Sequence, residues 1–393
     1  MKVVAYSVRE FEKEFVARAN QKQHDITLIS NSLSLETAVY AQGKEAVVVS
    51  TQDDLSEEVI EKLADLGIKY ITTRSVSTDH IDRVAAGKRN IKLANVPSYS
   101  PAAVSEYTLM LALSLGRRII STVNSSREFD FRIDQHIGFN FKGKTVGIVG
   151  LGAIGKATAA VFRSLGCKIL GHDISPVPNP DGIEEVSFEQ LLEESDIISL
   201  HIPLNPETKH IINMQSISKM KNGVMLINTS RGGLIKSEDL IKALKTGKIG
   251  WLGLDGYEFE KNMFYSDHSA DRVKDPIMEE LLSFPNVIIS PHQAFLTKEA
   301  LQEIANLIIK NLDNWQAGKC SGKACVCADA TTPTKTASAQ AVVITIHPPP
   351  FPLVPVKTTL ATTPLPSKIN SAVPKNSAVK GAISENLFFK DLH

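Results

Sequence analysis

A strand, a turn with three spaced glycines and a helix follow one another in the middle of the chain. The apolar run Thr145–Val149 leads into Gly150, Gly152 and Gly155, and the pattern of Ala153–Leu165 predicts the helix. Gly150 permits a tight turn, Gly152 lets the backbone approach a diphosphate, and Gly155 lets the helix pack close to the strand. The amides at the start of the helix then face the anion. This arrangement predicts a doubly wound α/β domain that binds a dinucleotide.

An acidic residue after the next strand narrows the choice of dinucleotide. Lys168–His172 has the composition of a buried strand, and Asp173 follows it directly. A carboxylate at this point accepts hydrogen bonds from the adenosine ribose hydroxyls and repels a 2′-phosphate. We therefore expect NAD rather than NADP as the cofactor. The alternative interpretation is a structural turn beside an incidental acid.

Apolar strands alternate with helices in two series, which predicts parallel sheets covered by helices. In the first series the helix is Ser56–Leu66, and the strands are Lys2–Tyr6, Ile26–Ile29, Ala46–Val49 and Lys69–Thr72. The strands of the second series are Thr145–Val149, Lys168–His172, Ile197–His201, Val224–Asn228, Trp251–Asp255 and Val287–Ser290. The predicted fold class is therefore α/β, with two doubly wound parallel-sheet domains.

Two further helical segments carry extensive apolar surface. Ala102–Leu115 is apolar almost throughout, and we expect it to bury against a second subunit in a homodimer or homotetramer. Lys298–Trp315 is long and amphipathic, and we expect it to pack back against the first sheet.

Charge and cysteine content argue against several classes of protein. Lys and Arg together number 43, as do Asp and Glu, so the formal net charge is zero, unlike that of surfaces built for nucleic acid or anionic lipid. No apolar run is long enough to span a bilayer, and Met1–Tyr6 predicts a strand rather than a signal peptide. Four cysteines are too few for a disulfide scaffold, so we expect a reducing, cytoplasmic location.

The last part of the chain differs in composition from the rest. Cys320, Cys325 and Cys327 lie close together and could suggest a metal site, but no fourth cysteine and no nearby histidine completes a set of zinc ligands. We therefore expect an unstructured flank here rather than a bound metal. Nine of the nineteen prolines occur beyond about residue 330, among Thr, Ser, Ala and Lys. We expect residues 329–393 to be disordered. The alternative is a docking segment for a partner that binds polyproline helices.

Polar side chains follow three strands of the second series, at the edge where doubly wound sheets bind their ligands. They are Arg231, the acidic residues Asp255, Glu258 and Glu260, and His292. Reduction of a 2-keto acid needs a cation for the carboxylate and carbonyl, a proton donor, an anion beside that donor and a source of hydride. Arg231, His292 and Glu260 fit the first three needs. Each alone could be a surface ion pair or a structural side chain, but together behind the glycine turn they favour catalysis.

Four segments resemble the D-isomer-specific 2-hydroxyacid dehydrogenase family, and the resemblance covers residues 1 to about 320. They are GKTVGIVGLGAIGK, NTSRGGLI, GLDGYEFE and NVIISPHQAF. Within the family, FEKNMFYSDHS and PHQAFLTKEAL are similar to the bacterial fermentative D-lactate dehydrogenases. The resemblance implies reversible reduction of pyruvate to D-lactate by NADH. It also implies that Arg231 binds the substrate, that Glu260 pairs with the histidine and that His292 donates the proton.

The resemblance further implies domain limits and contacts. A smaller, flavodoxin-like substrate domain would comprise residues 1–100 completed by 293–328, and residues 101–292 would form the Rossmann NAD domain. The substrate would contact Val76, Ser77, Tyr99, Arg231 and Phe295. The NAD cleft would be lined by Gly150, Gly152, Ala153, Ile154, Gly155, Asp173, Ile202, Pro203, Thr208, Thr229, Ser230 and Asp255. Two residues depart from the family pattern: Ser77 stands where glycine is common, and Gly256 replaces the usual valine after Asp255.

Other functions remain open at the level of sequence. Related D-specific reductases act on glycerate, malate or 2-ketoisocaproate, and the sequence does not rank these substrates. Formate dehydrogenase fits less well, because its chemistry places an amide where Glu260 lies. A corepressor-like scaffold that responds to NADH would use the same fold without this reaction. The proline-rich tail favours a scaffold, whereas the segment around Phe264 and Tyr265 argues against it.

Overall fold

The computed structural model describes residues 1–175, 182–261, 263–270, 274–320 and 324–327. The predicted disordered tail, 329–393, lies outside the described residues. Met1–Pro333 forms one compact unit with two parallel sheets. Among the described helices, none combines the length and apolar character needed to cross a membrane.

The first sheet is built from the first 94 residues. Its elements are β1 (Lys2–Ala5), α1 (Glu10–Asn20), β2 (Asp25–Leu28), β3 (Ala46–Val49), α2 (Glu57–Asp65), β4 (Tyr70–Thr73), α3 (Arg83–Lys88) and β5 (Lys92–Ala94). The strands are parallel, in the order β2-β1-β3-β4-β5. The four predicted strands are confirmed. β5 was not predicted, because it is only three residues long and begins at an exposed lysine.

Two helices, α4 (Pro101–Gly116) and α5 (Ile119–Arg127), connect the first sheet to the second. The strands of the second sheet and the helices between them are, in chain order, β6 (Thr145–Val149), α6 (Ala153–Ser164), β7 (Lys168–His172), β8 (Glu184–Glu185), α7 (Phe188–Glu194), β9 (Ile197–Leu200), α8 (Met214–Lys219), β10 (Val224–Asn228), α9 (Ser237–Lys245), β11 (Ile249–Leu254), α10 (Pro276–Ser283) and β12 (Val287–Ile289). Its strands are parallel, in the order β12-β11-β10-β9-β6-β7-β8. Six of them were predicted, and β8 is an addition: its two exposed glutamates give no apolar signal.

α4 covers the second sheet. Its first turn is fixed by Ser100, whose hydroxyl accepts a hydrogen bond from the Ala103 amide, and by Pro101. Leu111 and Leu115 are buried against β11, where Gly253 leaves room for them. One face of this helix lies on its own sheet, whereas Met110 on another face is 41% exposed. The expectation that the helix contacts a second subunit stays a prediction.

The last described helix, α11 (Lys298–Gln316), returns to the first sheet as predicted. Thr297 caps its start by accepting a hydrogen bond from the Ala300 amide. Near its end Trp315 stacks on Tyr70 of β4 at 4.9 Å between ring centroids. Asn311, which is buried, donates to Thr72 and to the Asn95 carbonyl. These contacts join the helix to the sheet despite the long stretch of chain between them.

Candidate active site

A cavity of about 1000 Å³ lies where the carboxyl ends of both sheets face each other. The first sheet contributes the 74–79 loop after β4 and Tyr99. The second sheet contributes Arg231 after β10, Asp255 after β11 and His292 after β12. Parallel strands place their carboxyl ends at one edge, so residues distant in sequence meet here.

His292, Glu260 and Arg231 form a connected group at this cavity. His292 Nδ1 lies 2.9 Å from Glu260 Oε1, and Glu260 Oε2 accepts a hydrogen bond from the Tyr257 amide at 2.9 Å. The ring therefore turns Nε2 toward the cavity, where Arg231 Nη1 lies 3.5 Å away. The neighbouring Glu258 points elsewhere, to His210 and to the Ser237 amide. The geometry thus places Glu260, rather than Glu258, beside the histidine.

The turn that carries His292 is held in an uncommon conformation. The φ of His292 is 52°, in the left-handed region that non-glycine residues seldom occupy. Buried Asp255 fixes the turn by accepting hydrogen bonds from Ser290 Oγ at 2.6 Å, the Gln293 amide at 2.9 Å and the Ala294 amide at 2.7 Å. Tyr265 Oη donates to the His292 carbonyl at 2.7 Å. A backbone conformation of this kind is kept only where several contacts hold it, as these hydrogen bonds do here, and such conformations are common at active sites.

Arg231 is held from both sides of the cavity. Its carbonyl accepts a hydrogen bond from Asn228 Nδ2 at 2.9 Å, and its Nε lies 3.3 Å from Asp79 Oδ2 of the opposite sheet. Burial works against ionisation of Asp79, but hydrogen bonding with His80 and the charge of Arg231 hold the pKa of this carboxyl well below its usual range. The residue after Arg231 has to be a glycine, because a Cβ on Gly232 would lie 2.0 Å from the Tyr257 carbonyl carbon.

The glycine turn after β6 has the geometry of a diphosphate cradle. Gly150 has a φ of 97°, and a Cβ on Gly155 would lie 1.9 Å from the Gly150 carbonyl oxygen. Apart from its chain neighbours, no heavy atom of the described residues lies within 4 Å of a Cβ built on Gly152, and none of their side chains caps the start of α6. Asp173 lies beside this turn and accepts a hydrogen bond from the Leu151 amide at 2.7 Å. These residues fit a dinucleotide. The amides at the start of α6 and the space beside Gly152 can take a diphosphate, and the Asp173 carboxylate lies next to them.

A buried histidine supports the same fit. His201 follows β9 and lines the cavity, and its Nε2 lies 2.9 Å from Ser199 Oγ. Within the described part of the chain, its Nδ1 is buried without a hydrogen-bond partner. Burial lowers the pKa of this imidazole to about 3, so the ring is neutral. A neutral ring with a free nitrogen can hydrogen-bond a polar cofactor group.

Most of the residues predicted for the site line the cavity. Those that do are Val76, Ser77, Tyr99, Ile154, Ile202, Pro203, Thr229, Ser230, Arg231, Asp255, His292 and Phe295. The others lie outside the lining: Gly150, Gly152, Ala153, Gly155 and Asp173 at the glycine turn, Glu260 behind His292, and Thr208. Thr208 donates to the Pro203 carbonyl at 2.7 Å and so braces its own loop.

The side of the cavity that was predicted to bind the substrate combines aromatic rings with a polar loop. Tyr99 and Phe295 meet edge to face, with ring centroids 6.4 Å apart. Asn95 Nδ2 donates to the Val76 carbonyl at 2.6 Å and so supports the loop. Ser77 stands in the position where glycine was expected, and its hydroxyl donates to Asp79. The added hydroxyl therefore has a hydrogen-bond partner within its own loop.

Sequence reasoning missed three polar contacts of the site. Asp79 lies in the predicted substrate loop, but its pairing with Arg231 spans the cavity. Tyr265 lies in the segment that resembles D-lactate dehydrogenases, and its contact with His292 was not foreseen. Arg9 reaches from the first sheet to the Tyr265 carbonyl at 3.0 Å and over its ring. No local pattern encodes such contacts, because each joins parts of the chain that only folding brings together.

Comparison with known proteins identifies the family. Residues 109–294 match the family described as "D-isomer specific 2-hydroxyacid dehydrogenase, NAD binding domain". The chain is 41% identical over 324 residues to D-lactate dehydrogenase kk1H of Curvularia clavata, covering 81% of this chain and 93% of that protein. It is 38% identical to D-lactate dehydrogenase of Escherichia coli K12, covering 81% and 98%.

Solved structures agree with the sequence comparison. The pyruvate reductase of Chlamydomonas reinhardtii superposes with a TM-score of 0.76 at 38% identity, covering 81% of this chain and 97% of that one. The NAD⁺ complex of D-lactate dehydrogenase from Lactobacillus jensenii superposes with a TM-score of 0.69 at 33% identity, covering 81% and 98%. The chain therefore belongs to the D-isomer-specific 2-hydroxyacid dehydrogenases and is an NAD-dependent oxidoreductase of that family.

Proposed function

We propose that the protein is a D-lactate dehydrogenase that interconverts pyruvate and D-lactate. The observation that carries this proposal is the group formed by His292, Glu260 and Arg231 at a cavity shared by both sheets. This group offers a proton, a carboxylate beside the proton donor and a cation, which are the needs of 2-keto acid reduction. Relatives that bear the name D-lactate dehydrogenase support the choice of substrate.

Each side chain has a definite part in the proposed reaction. Arg231 binds the substrate carboxylate and polarises the carbonyl oxygen, and the backbone of Val76 and Ser77 holds the carboxylate from the opposite side. His292 donates its Nε2 proton to the carbonyl oxygen during reduction and takes it back from the hydroxyl during oxidation. Glu260 stabilises the imidazolium and orients the ring through Nδ1. NAD, when bound, supplies or accepts the hydride at the substrate's C2 carbon.

The cofactor is assigned to the turn and cleft of the second sheet. The free amides at the start of α6 would bind the diphosphate, and Asp173 would accept from the ribose hydroxyls. Asp255 would contact the nicotinamide carboxamide while it holds the His292 turn. The remaining proposed contacts of the cofactor are Ile202, Pro203, Thr208, Thr229 and Ser230.

The aromatic pair favours a small substrate. Tyr99 and Phe295 meet edge to face on the side proposed to bind the substrate, and Tyr265 lines the same cavity. We expect these rings to accept a methyl group more readily than a branched chain, which favours pyruvate over 2-ketoisocaproate. Reduction of hydroxypyruvate or oxaloacetate, which yields glycerate or malate, is the alternative within the same mechanism.

The proposal is tested by following NADH oxidation with pyruvate, hydroxypyruvate, oxaloacetate and 2-ketoisocaproate. We expect the highest kcat/KM with pyruvate and a product that an enantiomer-specific assay identifies as D-lactate. His292→Ala should lower kcat by roughly 10²–10⁴-fold while the Kd for NADH stays unchanged. His210→Ala is the matched control, because His210 also pairs with a glutamate but does not line the cavity.

The outcomes separate the alternatives. A preference for another keto acid would retain the mechanism and reject the substrate. Tight NADH binding without turnover of any of these acids would reject the enzyme and favour a scaffold. A loss of NADH binding in His292→Ala would show that this residue is structural.

We propose that the protein is a homodimer and that the second copy covers α5 and the residues around it. No residue of α5 is buried within the single chain. Large apolar side chains are exposed there and in the segment that follows, among them Ile119, Ile120, Val123, Phe129, Phe131, Ile133 and Ile137. A concentration of apolar surface on this scale is typical of a subunit contact. The four cysteines are free thiols, in keeping with the proposed cytoplasmic location.

A further inference from the structure

Three thiols meet at the edge of the first sheet, and none of them is in the lining of the cavity. The Sγ atoms of Cys320 and Cys325 lie 3.0 Å apart, those of Cys320 and Cys327 lie 3.7 Å apart, and those of Cys325 and Cys327 lie 3.6 Å apart. None of these distances is that of a disulfide, which is about 2.05 Å. Sulfur atoms that share one ion at about 2.3 Å lie roughly 4 Å apart, so small side-chain movements would suffice to place an ion among them.

The backbone holds two of the three thiols in place. Residues 324–327 run antiparallel to β5, the edge strand of the first sheet, with Cys325 opposite Ala94. The Asn95 amide donates to the Ala324 carbonyl at 3.0 Å, and the Val326 amide donates to the Leu93 carbonyl at 3.1 Å. Cys325 and Cys327 are two residues apart on this short extended segment, and both of their thiols contact Cys320.

The third thiol comes from a different element. Cys320 lies just beyond the end of α11, and it packs with the cluster that covers one face of the first sheet. An ion bound by all three sulfurs would therefore join the end of α11 to the edge of the sheet. The three thiols are neither fully buried nor fully exposed, so an ion could reach them and would be partly shielded from water.

One of the three sulfur atoms also contacts the backbone of β5. The Leu93 amide donates to Cys327 Sγ at 3.3 Å, and the same sulfur lies 3.6 Å from the Leu93 carbonyl oxygen. The hydrogen bond from the amide can remain when Cys327 loses its proton to become a ligand, because a negatively charged sulfur is a stronger acceptor.

We propose that Cys320, Cys325 and Cys327 form a trithiolate site for one thiophilic d¹⁰ cation. Within the described residues the cluster contains three cysteines and no histidine or carboxylate. Soft thiolate ligands select Cu⁺ and Zn²⁺ among biological metals. Three sulfur donors satisfy Cu⁺, whereas Zn²⁺ would need a fourth ligand from solvent, so the site is assigned to Cu⁺ with Zn²⁺ as the competitor. On binding, each thiol that becomes a ligand gives its proton to solvent.

The test is a titration of the reduced full-length protein with Cu⁺ under anaerobic conditions, against a chromophoric Cu⁺ chelator. A second titration uses Zn²⁺ with a Zn²⁺ chelator. We expect one Cu⁺ per chain, displaced by neither excess Zn²⁺ nor NADH. Cys320→Ser, Cys325→Ser and Cys327→Ser should each weaken Cu⁺ binding by about tenfold or more, because a hydroxyl is a poor ligand for a soft cation.

A matched control and a second readout separate the site from a folding defect. Cys167→Ser removes a buried thiol of the second sheet and should leave the stoichiometry and affinity unchanged. Hydrogen exchange at the Val326 and Asn95 amides should slow when Cu⁺ binds, since both amides join residues 324–327 to β5. NADH binding by each variant checks that the chain is folded.

Three results would overturn the assignment. The first is wild-type affinity for Cu⁺ in a folded cluster variant. The second is tighter binding of Zn²⁺ than of Cu⁺. The third is a disulfide among these cysteines in protein that was purified anaerobically and takes up no metal.

Discussion

Asp79, in the loop after β4, contacts Arg231, the arginine that we propose to bind the substrate. Its carboxylate lies 3.3 Å from Arg231 Nε, and the side chains of both residues are largely shielded from solvent. Arg231 would use the rest of its guanidinium for the substrate, so Asp79 acts as a positioning residue. An ion pair across the cavity also couples the orientation of Arg231 to the position of the 74–79 loop.

We expect Asp79→Asn to lower kcat/KM for pyruvate by about tenfold, because Arg231 loses the charged acceptor that orients it. The measurement is steady-state kinetics at saturating NADH, together with the Kd for NADH, which should not change. Asp130→Asn is the control, since it removes an aspartate that pairs with Arg132 at the surface. Equal effects of the two substitutions would show that Asp79 has no special role.

The same substitution should change stability in a pH-dependent way. The pKa of Asp79 is lowered in the folded chain relative to an ordinary aspartate value of 3.8. The ionised carboxyl therefore stabilises the fold above that ordinary value, and its contribution is lost as pH falls below it. Urea denaturation should show a difference between wild type and Asp79→Asn that is constant near neutrality and shrinks in acid. A difference that grows in acid would contradict this assignment.

At the scale of elements, two glycines in the turn between β6 and α6 are needed for different reasons. Gly155 is needed for packing, because a Cβ there would lie 1.9 Å from the Gly150 carbonyl oxygen. Gly152 has an ordinary φ of −68°, and a Cβ there would contact no described residue other than its chain neighbours. The chain alone thus gives no reason for glycine at position 152, and a bound diphosphate does.

We expect Gly152→Ala to leave the free energy of unfolding unchanged and to raise the Kd for NADH by about tenfold, because the methyl group occupies the diphosphate's space. Gly155→Ala should instead lower the free energy of unfolding by about 1–3 kcal/mol, because the helix must move from the strand. Urea denaturation without cofactor and NADH fluorescence titration distinguish the two effects. The same loss of stability in both variants would refute the distinction.

Strands with continuous buried runs were predictable to the residue, as β3, β6, β7 and β10 show. β5 and β8 were not, because sheet edges accept short, polar segments that carry no periodic signal. Arg231, Glu260 and His292 could be selected as candidates because they follow strands whose ends must meet. The Asp79–Arg231 pair could not, since its partners are 152 positions apart and belong to different sheets.

On the scale of the whole molecule, the exposed apolar surface around α5 predicts assembly. We expect wild-type protein to sediment as a dimer and Ile120→Asp to weaken the dimer by about tenfold or more, because an unpaired carboxylate would be buried in the contact. Ile120 is 53% exposed in the single chain. Val84→Asp is the control, since Val84 is 50% exposed and lies on α3, far from α5 along the chain. A monomeric wild type, or an Ile120→Asp dimer of full strength, would place the contact elsewhere or remove it.

The proposed activity should be confined to the compact unit Met1–Pro333, which contains both sheets and the cavity. Removal of Thr334–His393 should therefore leave kcat and KM for pyruvate within about twofold of the full chain. A purified chain ending at Pro333, assayed beside the intact protein, provides the measurement. A large loss of turnover in a chain that still binds NADH would assign the removed residues a part in catalysis.

The two sheets each form one wall of the cavity, and the proposed functions of the two walls differ. This difference affects how such a chain can evolve. The residues proposed for proton transfer and charge stabilisation follow strands of the second sheet, whereas Val76, Ser77 and Tyr99 face them from the first. Substitutions on the first wall can alter which keto acid fits without rebuilding the hydrogen bonds that orient His292. New substrate ranges are therefore accessible to selection by single substitutions, while the reaction itself stays under strong constraint.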